Sequence, residues 1–329
     1  MAEGDEVSAR FPDQPGEGAL RFLVDDDLAG QRIDRALAEL CDLPRAQVAR
    51  WVAQGRVKLA GESVTRASQR VRAGDQLDAD PPKPARADVS PQAIPLDILY
   101  EDSDLVVVNK AAGMVVHPAA GHPDGTLVNA LLHHCGDLAG VGGVLRPGIV
   151  HRLDQGTSGV MVAAKNDLAH RGLAEQFHDH SIERIYWAWV RSVPNADHGR
   201  VERPIGRHLR DRKRMSVRSR SGRSAATGWR VLERFPARGI SWLEIHPETG
   251  RTHQIRVHLA SIGLPICSDP VYGRGRRTRD AKDAGLGRPA LHAAHLGFTH
   301  PQSGEELRFQ APLPADLADF LARLREGSQ

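Results

Sequence analysis

Residues 147–159 read PGIVHRLDQGTSG. β-rich runs at 148–150 and 159–164 flank the loop HRLDQGTS, so one strand delivers Arg152 and Asp154 into a tight Gly/Thr/Ser turn and another leaves it. Loops carried on rigid strands are common places for active residues. Cations beside an aspartate favour its carboxylate form, and a carboxylate serves as nucleophile or base. The same residues also allow a plainer reading, in which Asp154 caps the turn and pairs with Arg152.

Outward from this loop, the chain mixes strands and helices from residue 96 on. LDILYEDSDLVVVNK (96–110) reads as a hairpin about Glu101–Asp104. Thr126 is placed to cap a helix whose Leu127, Ala130, Leu131 and His134 share a face, with Gly136 after it. Residues 167–180 read as a helix, 182–190 and 241–246 as strands, and 252–262 as a helix with Ile255, Leu259 and Ile262 inward. The order lacks the regular βαβ alternation of a doubly wound sheet, which makes the class α+β. A second conspicuous run is ETGRTHQIR (248–256), where Arg251 opens a helix. Its charge and the free N–H groups of the helix would suit a carboxylate or phosphate.

Toward the N-terminus, residues 81–95 (PPKPARADVSPQAIP) are a Pro-rich linker. Before it, 21–80 form a small unit: Ile33, Ala36, Leu37 and Leu40 mark one helix, and Val48, Trp51 and Val52 a second, which Pro44 opens and Gly55 caps. Short strands at 57–59 and 71–77 follow, the latter turning at Ala73-Gly74-Asp75. Residues 1–20, acidic and without periodicity, read as a disordered tail.

Composition narrows the function. The 329 residues are 40% hydrophobic and 26% charged, with no apolar run near the roughly 20 needed to cross a bilayer. Three dispersed cysteines point to a reducing, cytoplasmic setting. The net charge of +3 hides an asymmetry, because residues 1–27 hold eight acids against two arginines. Residues 200–223 hold ten basic and two acidic side chains, and the loop 274–288 adds more; taken alone such runs read as solvated loops, and in an RNA-binding protein as phosphate contacts. No P-loop, dinucleotide fingerprint or nucleophile elbow occurs, and no histidine or cysteine cluster has metal-ligand spacing.

The run RIDRALAELCDLPRAQVARWVAQGRVKLAGESV, with its later AGD turn, resembles an S4 domain, the RNA-binding module of ribosomal protein S4. HRLD followed by TSG, and TGRTHQIRVHLA, resemble the two marker motifs of the RluA-type pseudouridine synthases, in particular the S4-containing, RluD-like branch. IERIYWAWV, SDPVYG and LHAAHLGFTHP support the likeness, which spans roughly 25–325. The resemblance implies a 21–80 S4 (alpha-L) module and a 96–325 catalytic domain with a mainly antiparallel mixed sheet. It implies conversion of uridine to pseudouridine in large-subunit ribosomal RNA by a monomer without metal, nucleotide or redox cofactor.

Carried over residue by residue, the resemblance puts Asp154 on the catalytic aspartate, Tyr186 on the active-site tyrosine and Arg251 on the basic residue that pairs with the aspartate. Arg152 enters the RNA stack beside the flipped base, and Ile255 lines the pocket. His151, Arg45, Arg50, Arg56, Lys58, Arg212, Lys213 and Arg214 are placed with the RNA-facing residues. Two departures stand out: Gln155-Gly156 replaces the family's Lys and acid, and Ala111 replaces a proline. Two rival classes are an RNA-binding assembly or translation factor that keeps the fold without the activity, and a hydrolase of free nucleosides. The first would be favoured by loss of Asp154, Tyr186 or Arg251, and the second by turnover of free uridine.

Overall fold

The computed structural model describes residues 20–41, 45–80, 89–119, 121–136, 138, 141, 147–208, 211, 214–219, 222–273 and 286–326. The tail read at 1–20 therefore lies outside the described residues except for Leu20. The chain divides into two units, Met1–Ala85 and Arg86–Gln329.

In the first unit, strand β1 (Leu20–Leu23) precedes helices α1 (Ile33–Leu40) and α2 (Arg45–Ala53) and strands β2 (Val57–Leu59), β3 (Glu62–Ser63) and β4 (Gln76–Ala79). The sheet order is β1-β4-β2-β3, all antiparallel. The helical spacing works as the sequence reading expected: Ile33, Ala36 and Leu37 from α1 meet Val48, Trp51 and Val52 from α2, Val57 and Leu77 in one buried cluster. Gly55, at φ +69°, lets the chain leave α2 in the left-handed region. The strand expected at 71–77 forms later, at β4, because Arg72 to Asp75 close a turn after the buried Val71.

The second unit holds, in order, β5 (Ile98–Glu101), β6 (Leu105–Lys110), α3 (Leu127–Cys135), β7 (Ser158–Ala164), α4 (Asp167–His178), β8 (Glu183–Val190), β9 (His198–Glu202), β10 (Gly206–Arg207), β11 (Met215–Ser216), β12 (Ala226–Phe235), β13 (Ile240–Pro247), α5 (Gln254–Ser261), β14 (Leu291–Thr299), β15 (Glu306–Gln310) and α6 (Ala315–Glu326). Nine strands form one sheet in the order β5-β6-β7-β14-β8-β13-β12-β9, with β15 also on β14. Among the described pairings only β7 with β14 is parallel, so the sheet is mixed and mainly antiparallel. Thr126 caps α3 in a reciprocal box with Asn129. Asn129 also bonds Ser90 and Gln92, so part of the stretch read as linker is fastened to the second unit.

Three local expectations change. The run at 148–150 is not a strand: Ile149 makes an isolated bridge to Ala163, because Gly148, at φ +69°, packs where a Cβ would meet the Ala164 carbonyl at 2.4 Å. Helix α5 starts at Gln254 because His253 is left-handed, at φ +57°. Ile262 follows the helix and is 36% exposed rather than inward.

The parallel pairing that carries the HRLD loop depends on Gly159. Its φ is +120°, and a Cβ there would stand 2.1 Å from the Ala293 carbonyl oxygen, a backbone atom that cannot swing away. Gly159→Ala should lower the unfolding free energy by about 3 kcal/mol or more. Gly113→Ala, which has positive φ but open space, should cost only about 1–2 kcal/mol. Denaturant unfolding of both variants checks this, and equal losses would refute the steric account.

Candidate active site

The loop 151–157, strand β8 and the turn before α5 line one cavity of ≈ 620 Å³. Its wall includes Arg152, Asp154, Arg184, Tyr186, Arg223, Arg251, His253, Ile255 and Arg256. Five arginines thus surround one aspartate.

The loop is fixed mainly through its backbone. Asp154 accepts from the Thr157 N–H, and Gly113 N–H donates to the Gln155 carbonyl. Lys110, buried at the end of β6, donates from Nζ to the carbonyls of Ala111 at 2.8 Å, Met114 at 2.9 Å and Gln155 at 3.5 Å. Arg288 bonds the Gly156 carbonyl, and a Cβ at Gly156 would meet Pro289 Cδ at 2.8 Å. Burial pushes the Lys110 ammonium down to about 7, with Arg288 adding to the fall and Asp154 opposing it.

Asp154 is held by an arginine, but not the one expected. Arg256 Nη1 donates to Asp154 Oδ2 at 2.9 Å. The same guanidinium forks onto the buried Asp269 through Nε at 2.7 Å and Nη2 at 2.9 Å, and lies 5.1 Å from the Tyr272 ring centroid. Burial lowers the Arg256 pKa, yet the two carboxylates outweigh it and hold it above its ordinary value. Burial likewise pushes Asp269 up, and the Arg256 bonds bring it below the usual carboxylate range. Arg251 instead donates from Nε to the Ser224 carbonyl. The local backbone is the cause. The left-handed turn at His253 leaves Arg251 ahead of α5, while Arg256 lies within the helix and reaches inward.

Tyr186 lines the cavity from β8. Burial raises its phenol above the ordinary value, Arg184 opposes this and Asp154 adds to it, so the hydroxyl stays protonated at neutral pH. Ile255 is buried in the cavity wall and Arg152 is exposed at it. His253 Nε2 stands 4.0 Å from Asp154 Oδ1, and its Nδ1 meets the Tyr272 hydroxyl at 2.8 Å.

The other expected RNA contacts divide. His151 is structural in this arrangement: Nε2 accepts from the Val162 N–H, the ring stacks on Phe177, and burial with the charge of Arg184 drives its pKa down to about 3. It is therefore neutral and cannot act as a cation toward RNA. Arg45 and Arg56 are spoken for by Asp34 and Asp80, whereas Arg50 and Lys58 are exposed. Arg214 lies 5.5 Å from the Tyr272 ring centroid. Arg212, Lys213 and most of the 274–288 loop lie outside the described residues. Arg288, at the end of that loop, is buried against Asp316 rather than offered to RNA.

Sequence reasoning missed Arg256, Asp269, Tyr272, Lys110 and Arg184. Their signal was present: Arg256 ends the RTHQIR run, and Asp269 and Tyr272 sit three apart in SDPVYG.

The family model described as RNA pseudouridylate synthase matches residues 104–261, and that of the S4 domain matches 31–77. A Bacillus subtilis protein named uncharacterized RNA pseudouridine synthase YlyB is 46% identical over 302 residues, covering 92% of this chain and 96% of the relative. The Zymomonas mobilis ribosomal large subunit pseudouridine synthase D is 47% identical over 298 residues, covering 89% and 93%. Among solved structures, human RNA pseudouridylate synthase domain containing 4 aligns with a TM-score of 0.55 at 30% identity, over 70% of this chain and 93% of that one.

Two predictions follow from the geometry. Arg256→Met strands the buried Asp269 carboxylate and should cost about 3–5 kcal/mol of stability. Arg256→Lys keeps a charge but not the fork, so it should retain more stability while losing at least about 10²-fold in turnover. Unfolding and single-turnover assays on both variants decide this. Lys110 has a folded pKa below its unfolded value, so the unfolded chain binds more protons between about pH 7 and 10.4, and stability rises with pH across that window. The stability gap between wild type and Lys110→Met should widen in favour of wild type over the same range. A flat gap would show that the ammonium is not being discharged.

Proposed function

Since the chain belongs to the RNA pseudouridine synthase family, we propose that this cavity isomerises specific uridines to pseudouridine in large-subunit ribosomal RNA, in the cytoplasm. The observation that carries the reading is the Asp154 carboxylate gripped by Arg256 in a wall that also holds Tyr186. The relatives named for the large ribosomal subunit and the S4 match support RNA of that class as substrate.

A uridine within folded RNA must leave its stack to reach such a cavity. Flipping costs a few kcal/mol, which stacking on Tyr186 and insertion of the exposed Arg152 offset. The N1–C1′ bond then breaks with its electron pair going to uracil. Asp154 either adds to C1′ or takes the C2′ proton, and both routes use its carboxylate form. Uracil turns while still bound and C5 bonds C1′, which expels the Asp154 carboxylate in the first route and is matched by return of the proton from Asp154 to C2′ in the second; the C5 proton then departs and N1 regains a proton. One carboxylate suffices because the base is its own leaving group and its own nucleophile, unlike the paired acids of glycoside hydrolysis. Arg256 aims Asp154, while Ile255 closes the wall with apolar surface.

Asp154→Asn should reduce modification by about 10³-fold or more and leave RNA affinity nearly unchanged. Pseudouridine mapping of ribosomal RNA from cells with and without the gene should lose one or a few large-subunit positions. Retained modification by the variant would overturn the assignment of Asp154. An unchanged large-subunit map would overturn the substrate.

A further inference from the structure

Arg184 is one of the residues of the cavity wall that the reaction described above leaves without a task. It sits on β8 two residues before Tyr186, on the same face of the strand, and its side chain borders the cavity. Burial lowers its pKa, and no carboxylate offsets that burial. Among the described residues no ion pair joins it to an acid. Glu183, next to it in sequence, faces Arg308 at 3.6 Å. The Glu248 carboxylate is taken by Arg200 through two bonds of 2.7 Å. Asp154 is taken by Arg256.

What Arg184 does have is slight. Nη2 reaches the Glu248 carbonyl at 3.4 Å, the guanidinium lies 5.9 Å from the Phe177 ring centroid, and Nε is buried without any partner. Its counterparts are better matched: Arg256, Arg288 and Arg234 each end on a carboxylate. A half-buried cation with no carboxylate beside it costs stability, and such a cost is retained where a ligand supplies the missing charge.

The chemistry and the spacing identify that ligand. A guanidinium fork matches the oxygens of a phosphodiester. Two residues along a strand span about 6.8 Å, comparable to the sugar that separates a base from its own phosphate. With uracil against Tyr186 and C1′ at Asp154, a phosphate joined to that ribose falls beside Arg184. We propose that Arg184 binds a phosphodiester adjoining the flipped uridine, and so sets how deep the nucleotide enters before Asp154 can act. The contact is internal to the cavity and distinct from the phosphates gripped at the RNA surface. It rests on the reading of the cavity as a uridine site.

The test is a cycle between protein and RNA, using the full chain and a stem-loop substrate that wild type converts. Single methylphosphonates, which are neutral, replace the phosphate 5′ or 3′ of the target uridine. Wild-type conversion of the unmodified RNA checks the uridine reading by itself. For wild type, one of the two neutral substitutions should raise KM by about tenfold to a hundredfold. Arg184→Gln should raise KM for the unmodified RNA by a similar factor, and the same methylphosphonate should then cost it nothing further. Should that variant not fold, Arg184→Lys, which keeps the charge and loses the fork, takes its place and should show a reduced penalty. Full additivity of the two changes, or indifference of wild type to both methylphosphonates, overturns the proposal. A loss confined to kcat and independent of the phosphates would instead assign Arg184 to the departing uracil anion.

Discussion

Arg256 makes three charge-assisted bonds from one planar group, and the second unit's chemistry hangs on them. Two go to Asp269, whose side chain has no exposed surface, and the third goes to Asp154. Asp269 could not sit where it does alone, because a buried carboxylate without a partner is strongly disfavoured. Asp269 in turn accepts the N–H groups of Val271 and Tyr272, and Tyr272 lies against the same guanidinium. A helix, a turn and the HRLD loop, far apart in sequence, are thereby locked at one point. The fork is what distinguishes arginine here, since a lysine could satisfy one acid but could not present a fixed third donor to the other.

Burial sorts the cations around this point. Lys110 is pushed down to about 7 and His151 to about 3, so neither adds a full charge to the loop they support. The arginines resist discharge, and four more of them share the wall with Arg256. The outcome is a cleft of fixed positive potential around a single carboxylate. That balance suits a polyanion that must be drawn inward, and Asp154 is the one carboxylate that the described lining of the cavity holds.

Much of the fold was legible. The 3.6-residue spacing of Ile33, Ala36 and Leu37 and the cap at Thr126 are local signals that the chain obeys, and the run at 182–190 does form strand β8, although its burial is graded along the strand and does not alternate. Asp154, Tyr186, Arg152 and Ile255, singled out as residues, do share a wall. The identity of the aspartate's partner was not legible, because Arg251 and Arg256 lie in one motif and only the backbone decides between them. A left-handed φ at His253, unusual for a residue with a Cβ, starts the helix two residues late and turns Arg256 inward. Charge counting failed for a related reason. Arg45, Arg56 and Arg288 look free in sequence, yet each finds an acid that is 11, 24 or 28 residues away.

The departure at Gln155-Gly156 illustrates how the same loop can tolerate altered side chains. Lys110, Gly113 and Arg288 hold this segment by its carbonyls, which every residue type supplies. Position 155 is exposed, and its side chain meets His122 at 3.3 Å. Position 156 is different, because Pro289 occupies the space of a Cβ. An acid there would need Pro289 to shift, and with it the backbone beside Arg288 that helps hold the loop. Glycine at 156 and the close approach of Pro289 therefore form one packing solution. Asp154 keeps its place in it because main-chain bonds, rather than the missing side chains, determine where the loop lies.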